Sequence, residues 1–214
     1  MIHFGPAGNC QRFYDEGCKG SEQAPAWIAA QGLNAYEYAA GHGVSIGEEK
    51  ARLIGMEAQR AGVAVSIHAP YYINGANPEK LESNVAYLLA AARAVKLMGG
   101  SRVVFHPGSP SRLKRETALQ NTLETVALAR KRLDDAGCAD ILLCPETMGR
   151  PSQLGTLDEI IALCQAVPGT LPTIDFAHLH AITLGAMTDE AAFENVIVRL
   201  INGLGSERIR HFHA

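Results

Sequence analysis

The sequence predicts an α/β fold of the closed (β/α) barrel type, and three observations predict it. Strand-like and helix-like segments alternate along all 214 residues. Strands such as VVF (103–105) and ILLC (141–144) are continuous apolar runs, as expected where both faces of a parallel sheet are covered. Five strand-like segments carry potential metal ligands at or near their ends: His68, His106, Glu146, Asp175 with His178, and His213. From His68 through His106, Glu146 and Asp175 to His213 the steps are 38, 40, 29 and 38 residues, about one βα unit each. An open doubly wound sheet gathers ligands at one switch point, whereas in a barrel the C-terminal ends of successive strands converge on one axis. Ligands on the third to seventh strands therefore favour the barrel.

Taken in order, IHFGPAG (2–8) reads as the first strand, PAWIAAQG (25–32) as a short helix closed by glycine, and LNAYEYA (33–39) as the second strand. Apolar residues at helical spacing make 46–62 a helix with Gly62 as its stop. VAVSIHAP (63–70) is the third strand, ending at Pro70 just after His68 is presented. Residues 78–98 open with Pro78 and Glu79 and continue into alanine- and leucine-rich sequence of high helix propensity. RVVFHPG (102–108) is the fourth strand, stopped by Pro107 and Gly108 behind His106. A helix over 114–136 follows, then a fifth strand in ILLCPETMG (141–149) and a helix over 156–166. LPTIDFAHLHA (171–181) holds the sixth strand, 188–203 the next helix, and RIRHFHA (208–214) the seventh strand. No linker, low-complexity segment or charge block interrupts this pattern, so a single domain over 1–214 is expected. Seven strands leave the eighth βα unit unread; the expectation is a barrel truncated at its C-terminus, with unpaired edges on strands one and seven.

With 47% hydrophobic and 19% charged residues, the chain can bury one sizeable core. No secretory signal pattern is present, and no apolar run reaches the roughly 18 residues of a membrane helix, so a soluble cytoplasmic protein without a membrane partner is expected. Five scattered cysteines, odd in number and without a C-x-x-C pair, argue against a disulfide framework and read as small core residues. Cys144 lies two positions before Glu146 and could share its face. The formal charge of −3 disfavours a polyanionic partner only until bound cations are counted, because local potential outweighs the total. Arg112, Lys114 and Arg115 follow the His106 strand on the ligand side, while Arg130, Lys131 and Arg132 read as a solvated helix face.

Imidazoles mixed with carboxylates suit zinc or a neighbouring first-row metal rather than magnesium or calcium. Glu146 lies in an apolar strand that would not bury a carboxylate without a partner cation. Asp175 and His178 are three apart and would face opposite sides of a strand, so both can serve one cluster only if the chain bends after Phe176. They would then bind different ions, which implies a multinuclear site. The alternative is a hydrogen-bonded Asp–His pair. His211 and His213 alternate onto one face of the seventh strand, and spacing does not choose between them. Tyr71, Tyr72 and Asn74 enter the loop after His68, where aromatics either stack on a substrate or pack over the barrel mouth. Glu37 in AYEY is a further acid at that mouth.

The segments SIHAPYYIN, VVFHPGS, LLCPETMG and TIDFAHLHA together resemble the successive metal-binding segments of the endonuclease IV-type apurinic/apyrimidinic endonucleases, within the xylose isomerase-like barrels. The resemblance implies a zinc-dependent phosphodiesterase of base excision repair, cutting double-stranded DNA on the 5′ side of abasic lesions with two to three zinc ions, manganese being an alternative. It implies that His68 and His106 hold one zinc and that Glu146, also the catalytic residue, bridges it to a second. Asp175 and His213 would join the second ion, with His211 as rival, and His178 a third. Tyr71 falls where the family places an aromatic that enters the duplex. The family's strand-eight glutamate and the remaining third-site ligands have no counterpart here, and Glu37 and His42 replace an amide-rich second-strand segment. Two other readings compete: a sugar isomerase or epimerase with one divalent ion and Glu37 and Glu146 in its site, and a non-catalytic DNA-binding or scaffold module. The sequence leaves the oligomeric state open.

Overall fold

The computed structural model describes residues 2–214; Met1, part of the expected domain span, lies outside them. Helices α1 (Gln11–Asp15), α2 (Ala24–Ala30), α3 (Glu48–Ala61), α4 (Leu81–Leu97), α5 (Arg115–Asp135), α6 (Leu157–Ala166), α7 (Phe176–Ile182), α8 (Glu190–Leu204) and α9 (Ser206–Ile209) are threaded with strands β1 (Ala35–Ala39), β2 (Ala64–His68), β3 (Arg102–Phe105) and β4 (Leu142–Pro145). The strands form one parallel sheet in the order β1-β2-β3-β4, as successive right-handed βα units dictate.

Three further segments continue the arc through hydrogen bonds without forming regular strands. Asn34 and Ala35 N–H groups donate to the Phe4 carbonyl and Glu37 N–H to that of Pro6, so residues 4–8 run beside β1. On the other side Leu171 and Thr173 donate to Leu143 and Pro145, and His213 donates to Pro172 while accepting from Ile174. The seven predicted positions thus lie in the predicted order, but only four are regular strands. Pro6 and Pro172 have no N–H to give a ladder, which confines these segments to isolated bridges.

Alternation along the strands separates two cores. Val65, Ile67, Val103, Phe105 and Leu143 point outward and pack with Ile54, Leu88, Val95, Val126 and Leu133 of α3, α4 and α5. Val104, Cys144 and Leu171 point inward and form a small separate cluster in the barrel. Gly62 closes α3 at φ 68°, a left-handed conformation that glycine adopts without strain.

Two predicted strands are corrected. The sixth gives way to a helix at Asp175, whose side chain caps α7 by accepting from His178 N–H at 2.8 Å; the bend therefore precedes Phe176. In place of the seventh strand, residues 206–209 form α9, and among the residues that follow only His213 bridges to the sheet. His211 and His213 share no strand face: the His211 side chain is exposed, and its carbonyl accepts from Arg102 at 2.9 Å. One basic residue is corrected as well. Arg130 is buried, donating to the carbonyls of Ile141 and Cys138 and pairing with Asp134. Arg115 stays at the ligand end of the strand it follows, but its guanidinium is taken up by Glu159 at the start of α6.

Candidate metal centre

The C-terminal ends of the strands open onto a cavity of about 550 Å³ lined by Glu37, His68, Tyr71, His106, Glu146, Asp175, His178 and His213. Four of these side chains arrive where a strand or strand-like segment stops. His68 closes β2, His106 and Glu146 directly follow β3 and β4, and Asp175 stands at the turn into α7.

His68, His106 and Glu146 each place one ligand atom within 4.8 Å of the others. Glu146 Oε2 lies 3.2 Å from Nε2 of both histidines, and its side chain is 9% exposed. The His68 Nδ1 lies 2.8 Å from the Ala69 carbonyl, which only accepts, so Nδ1 carries the proton. A neutral His68 ring then presents a lone pair to the Glu146 carboxylate, an arrangement that is attractive only with a cation between them. A proton satisfies that demand at Glu146, and so does a metal ion. Burial opposes ionisation of Glu146, yet hydrogen bonds from His106 and His68 outweigh it and hold the carboxyl at about 2. Burial likewise works against the His68 imidazolium, but Glu146 and the Ala69 carbonyl raise its pKa overall.

Glu146 belongs to a second group with Asp175 and His178, again with ligand atoms within 4.8 Å of one another. His178 Nδ1 faces Thr147 O at 2.9 Å, Asp175 Oδ2 at 3.3 Å and Glu146 Oε1 at 3.6 Å. Thr147 fixes this corner, its hydroxyl accepting from Asp175 N–H at 2.9 Å. The two groups thus share one carboxylate whose oxygens face opposite ways. Nitrogen donors combined with carboxylate oxygens fit a first-row divalent metal in both groups.

His213 enters the cavity but meets Glu37, with Nε2 3.0 Å from Oε2; Ser66 Oγ donates to the same oxygen at 3.1 Å. Neither compact ligand group contains His213. Tyr71 stacks on His106 with ring centroids 5.4 Å apart and 18° between planes, and is half-exposed at the mouth. A Cβ at Gly41 would run into that ring, so the glycine admits the tyrosine. His180 reaches the Met187 carbonyl, away from the cavity lining. Cys144 is buried inside the barrel, where burial pushes its thiol up to about 12 and removes it as a nucleophile at neutral pH, and it belongs to neither compact ligand group. Sequence reasoning missed Ser66 and Thr147. Ser66 was recoverable, since it precedes His68 by two and shares its strand face.

Residues 25–214 match the family described as xylose isomerase-like TIM barrel. An uncharacterized protein of Methanocaldococcus jannaschii is 31% identical over 153 residues, 71% of this chain and 55% of that protein. A probable endonuclease 4 of Mycoplasma mobile is 29% identical over 119 residues, 54% of this chain and 41% of that protein. The chain therefore spans about half the length of these curated relatives. Among solved structures, endonuclease IV from Thermus thermophilus superposes with TM-score 0.67 at 21% identity, covering 95% of this chain and 71% of that one. D-psicose 3-epimerase from Clostridium cellulolyticum gives TM-score 0.67 at 11% identity, covering 89% and 65%. At these identities the structural likeness shows the fold alone. By the extent of the family match, the chain belongs to the xylose isomerase-like TIM barrel family.

Proposed function

We propose that this chain is a single barrel domain of a zinc-dependent phosphodiesterase that cleaves double-stranded DNA 5′ to abasic sites. The observation that supports it best is the carboxylate shared by two ligand groups, because a bridging carboxylate between close metal ions suits in-line displacement at phosphorus. His68, His106 and Glu146 would hold one zinc, with Asp175 and His213 joining Glu146 on a second. His178 serves a further position. Zinc in such a site supplies Lewis-acid polarisation of the phosphoryl group and a nucleophile at neutral pH. The chain's own residues do the rest: His68 is kept in one tautomer by Ala69, Glu146 stays ionised, and Tyr71 presents an aromatic face at the mouth to DNA. The probable endonuclease 4 relatives add weight to DNA as the substrate.

The test is nicking of a duplex carrying one abasic site by zinc-loaded protein. Glu146→Gln is expected to lower the rate at least ~100-fold, beyond the 10–100-fold typical of losing an outer-layer partner. Full activity in that variant, with ion content verified, would overturn the assignment. A second reading, a ketose epimerase using one divalent ion, draws on one observation: Glu37 and Glu146 line the same cavity. Epimerisation of a ketohexose by manganese-loaded protein, without nicking, would select it.

A further inference from the structure

Glu37 is a carboxylate inside the cavity for which the proposed ligand set has no use. It lies on the inner face of β1, with 13% of its side chain exposed, and receives the Ser66 hydroxyl from β2. Its position explains why it meets His213. The bridges place His213 level with Thr173 and Glu146, and carrying the sheet register on past its last pairs, Phe105–Pro145, His68–Val104 and Ala39–His68, brings His106, Pro70 and Gly41 to the same row. Glu37 stands four residues back from Gly41, yet touches His213 across the barrel. The tilt of the strands around the arc accounts for this offset, because it brings residues at different heights along their strands to the same level of the cavity.

A carboxylate oxygen only accepts, so the 3.0 Å approach of His213 Nε2 to Glu37 Oε2 is attractive only in the form that carries the proton on Nε2. A neutral His213 ring then has its lone pair on Nδ1. His68 is the opposite case, with Nδ1–H held by Ala69 and the lone pair on Nε2. We propose that Glu37 is a positioning residue for the metal centre, fixing His213 in the Nε2–H tautomer so that Nδ1 is the atom this ring offers to a cation. Ser66 holds the carboxylate in place for that role. Carboxylate–histidine–metal relays work in this way, the carboxylate setting both the tautomer and the basicity of the ligating ring. The inference rests on the metal-centre reading, but its tautomer component does not depend on metal.

Full-length protein labelled with ¹⁵N-histidine, with and without zinc, reports which nitrogen of His213 bears hydrogen through long-range ¹H–¹⁵N correlations; His213→Asn assigns the signals. The expected result is a protonated Nε2 in the parent protein, retained in Glu37→Gln, whose amide oxygen still accepts, and lost in Glu37→Ala. In parallel, zinc competition against a chromophoric chelator should show Glu37→Ala weakening one ion about 10–100-fold, the cost of removing such a partner. The ion of His68 and His106 should be untouched, and Glu37→Gln should largely restore the other. An unprotonated Nε2 in the parent protein, or a Glu37→Ala variant equal to it in zinc affinity, overturns the proposal. If the parent protein takes up no zinc the metal-centre reading fails instead, and the tautomer experiment still decides what Glu37 does to His213.

Discussion

Thr147 is fully buried, and its hydroxyl accepts the Asp175 N–H at 2.9 Å while its carbonyl faces His178 Nδ1 at the same distance. Its side chain therefore fixes the turn at which the sixth segment becomes α7, and with it the direction of both candidate ligands. Thr147→Val keeps the volume but leaves the Asp175 N–H without its partner. An unmet buried donor costs ~1–3 kcal/mol, and denaturant unfolding should show a loss of that size. Because β2 and β3 are untouched, the ion placed on His68 and His106 should bind as before, and the ions placed on Asp175 and on His178 more weakly. An unchanged unfolding midpoint would mean that the turn is held by other contacts. Asp175 also shows why the site was only partly legible. Its pairing with His178 is visible in the spacing, but strand alternation does not hold there because the segment from Phe176 is helical. The capping relation of an Asp three residues before an N–H was the signal that fixes the turn.

Among the elements, α6 starts on one carboxylate that collects both an arginine and two backbone donors. Glu159 accepts from Arg115 at 2.6 and 2.8 Å and from the N–H groups of Gly155 and Thr156, while Thr156 returns a cap to Glu159 N–H. Burial works to raise the pKa of Glu159, but Arg115 and the two N–H groups outweigh it and lower the value. A carboxyl depressed in the folded state stabilises above its unfolded pKa, about 4.3, and loses that contribution as pH falls through the folded value. Glu159→Gln should therefore cost about 2 kcal/mol at pH 7. The gap to the parent protein should narrow on acidification below about pH 4. Urea unfolding at pH 7 and pH 3.5 measures it, and a constant gap would remove the charge from the explanation. The helices were legible because their stops are local: Gly62 and the Pro78 start are readable from neighbours in sequence. The burial of Arg130 and the Arg115–Glu159 clamp are not legible in the same way, because their partners, the Ile141 carbonyl and Glu159, are supplied by other parts of the chain, which no helical periodicity reveals.

At the scale of the whole molecule, convergence of the strand ends was legible because a ligand every βα unit has one geometric solution in a parallel barrel, whereas the Glu37–His213 contact was not, since it depends on the stagger between distant strands. The convergence has a thermodynamic consequence. A cation that binds only the assembled cavity stabilises the fold by mass action, ~2.7 kcal/mol at a hundredfold excess over its dissociation constant. For a chain of this size that amounts to roughly 5–10 °C in Tm. The effect must depend on pH, because proton and metal compete for the same gap beside Glu146. Without metal, His68 has a raised pKa, so the proton it shares with Glu146 stabilises the fold fully below the unfolded value, near 6.5, and that contribution is lost as pH rises through the folded value. A metal ion needs the deprotonated ring and gains where the proton loses. The Tm difference between zinc-loaded and chelator-treated protein should therefore be larger at pH 8 than at pH 6, as calorimetry at the two pH values would record. A difference equal at both, or larger at pH 6, would place the ion away from His68 and Glu146.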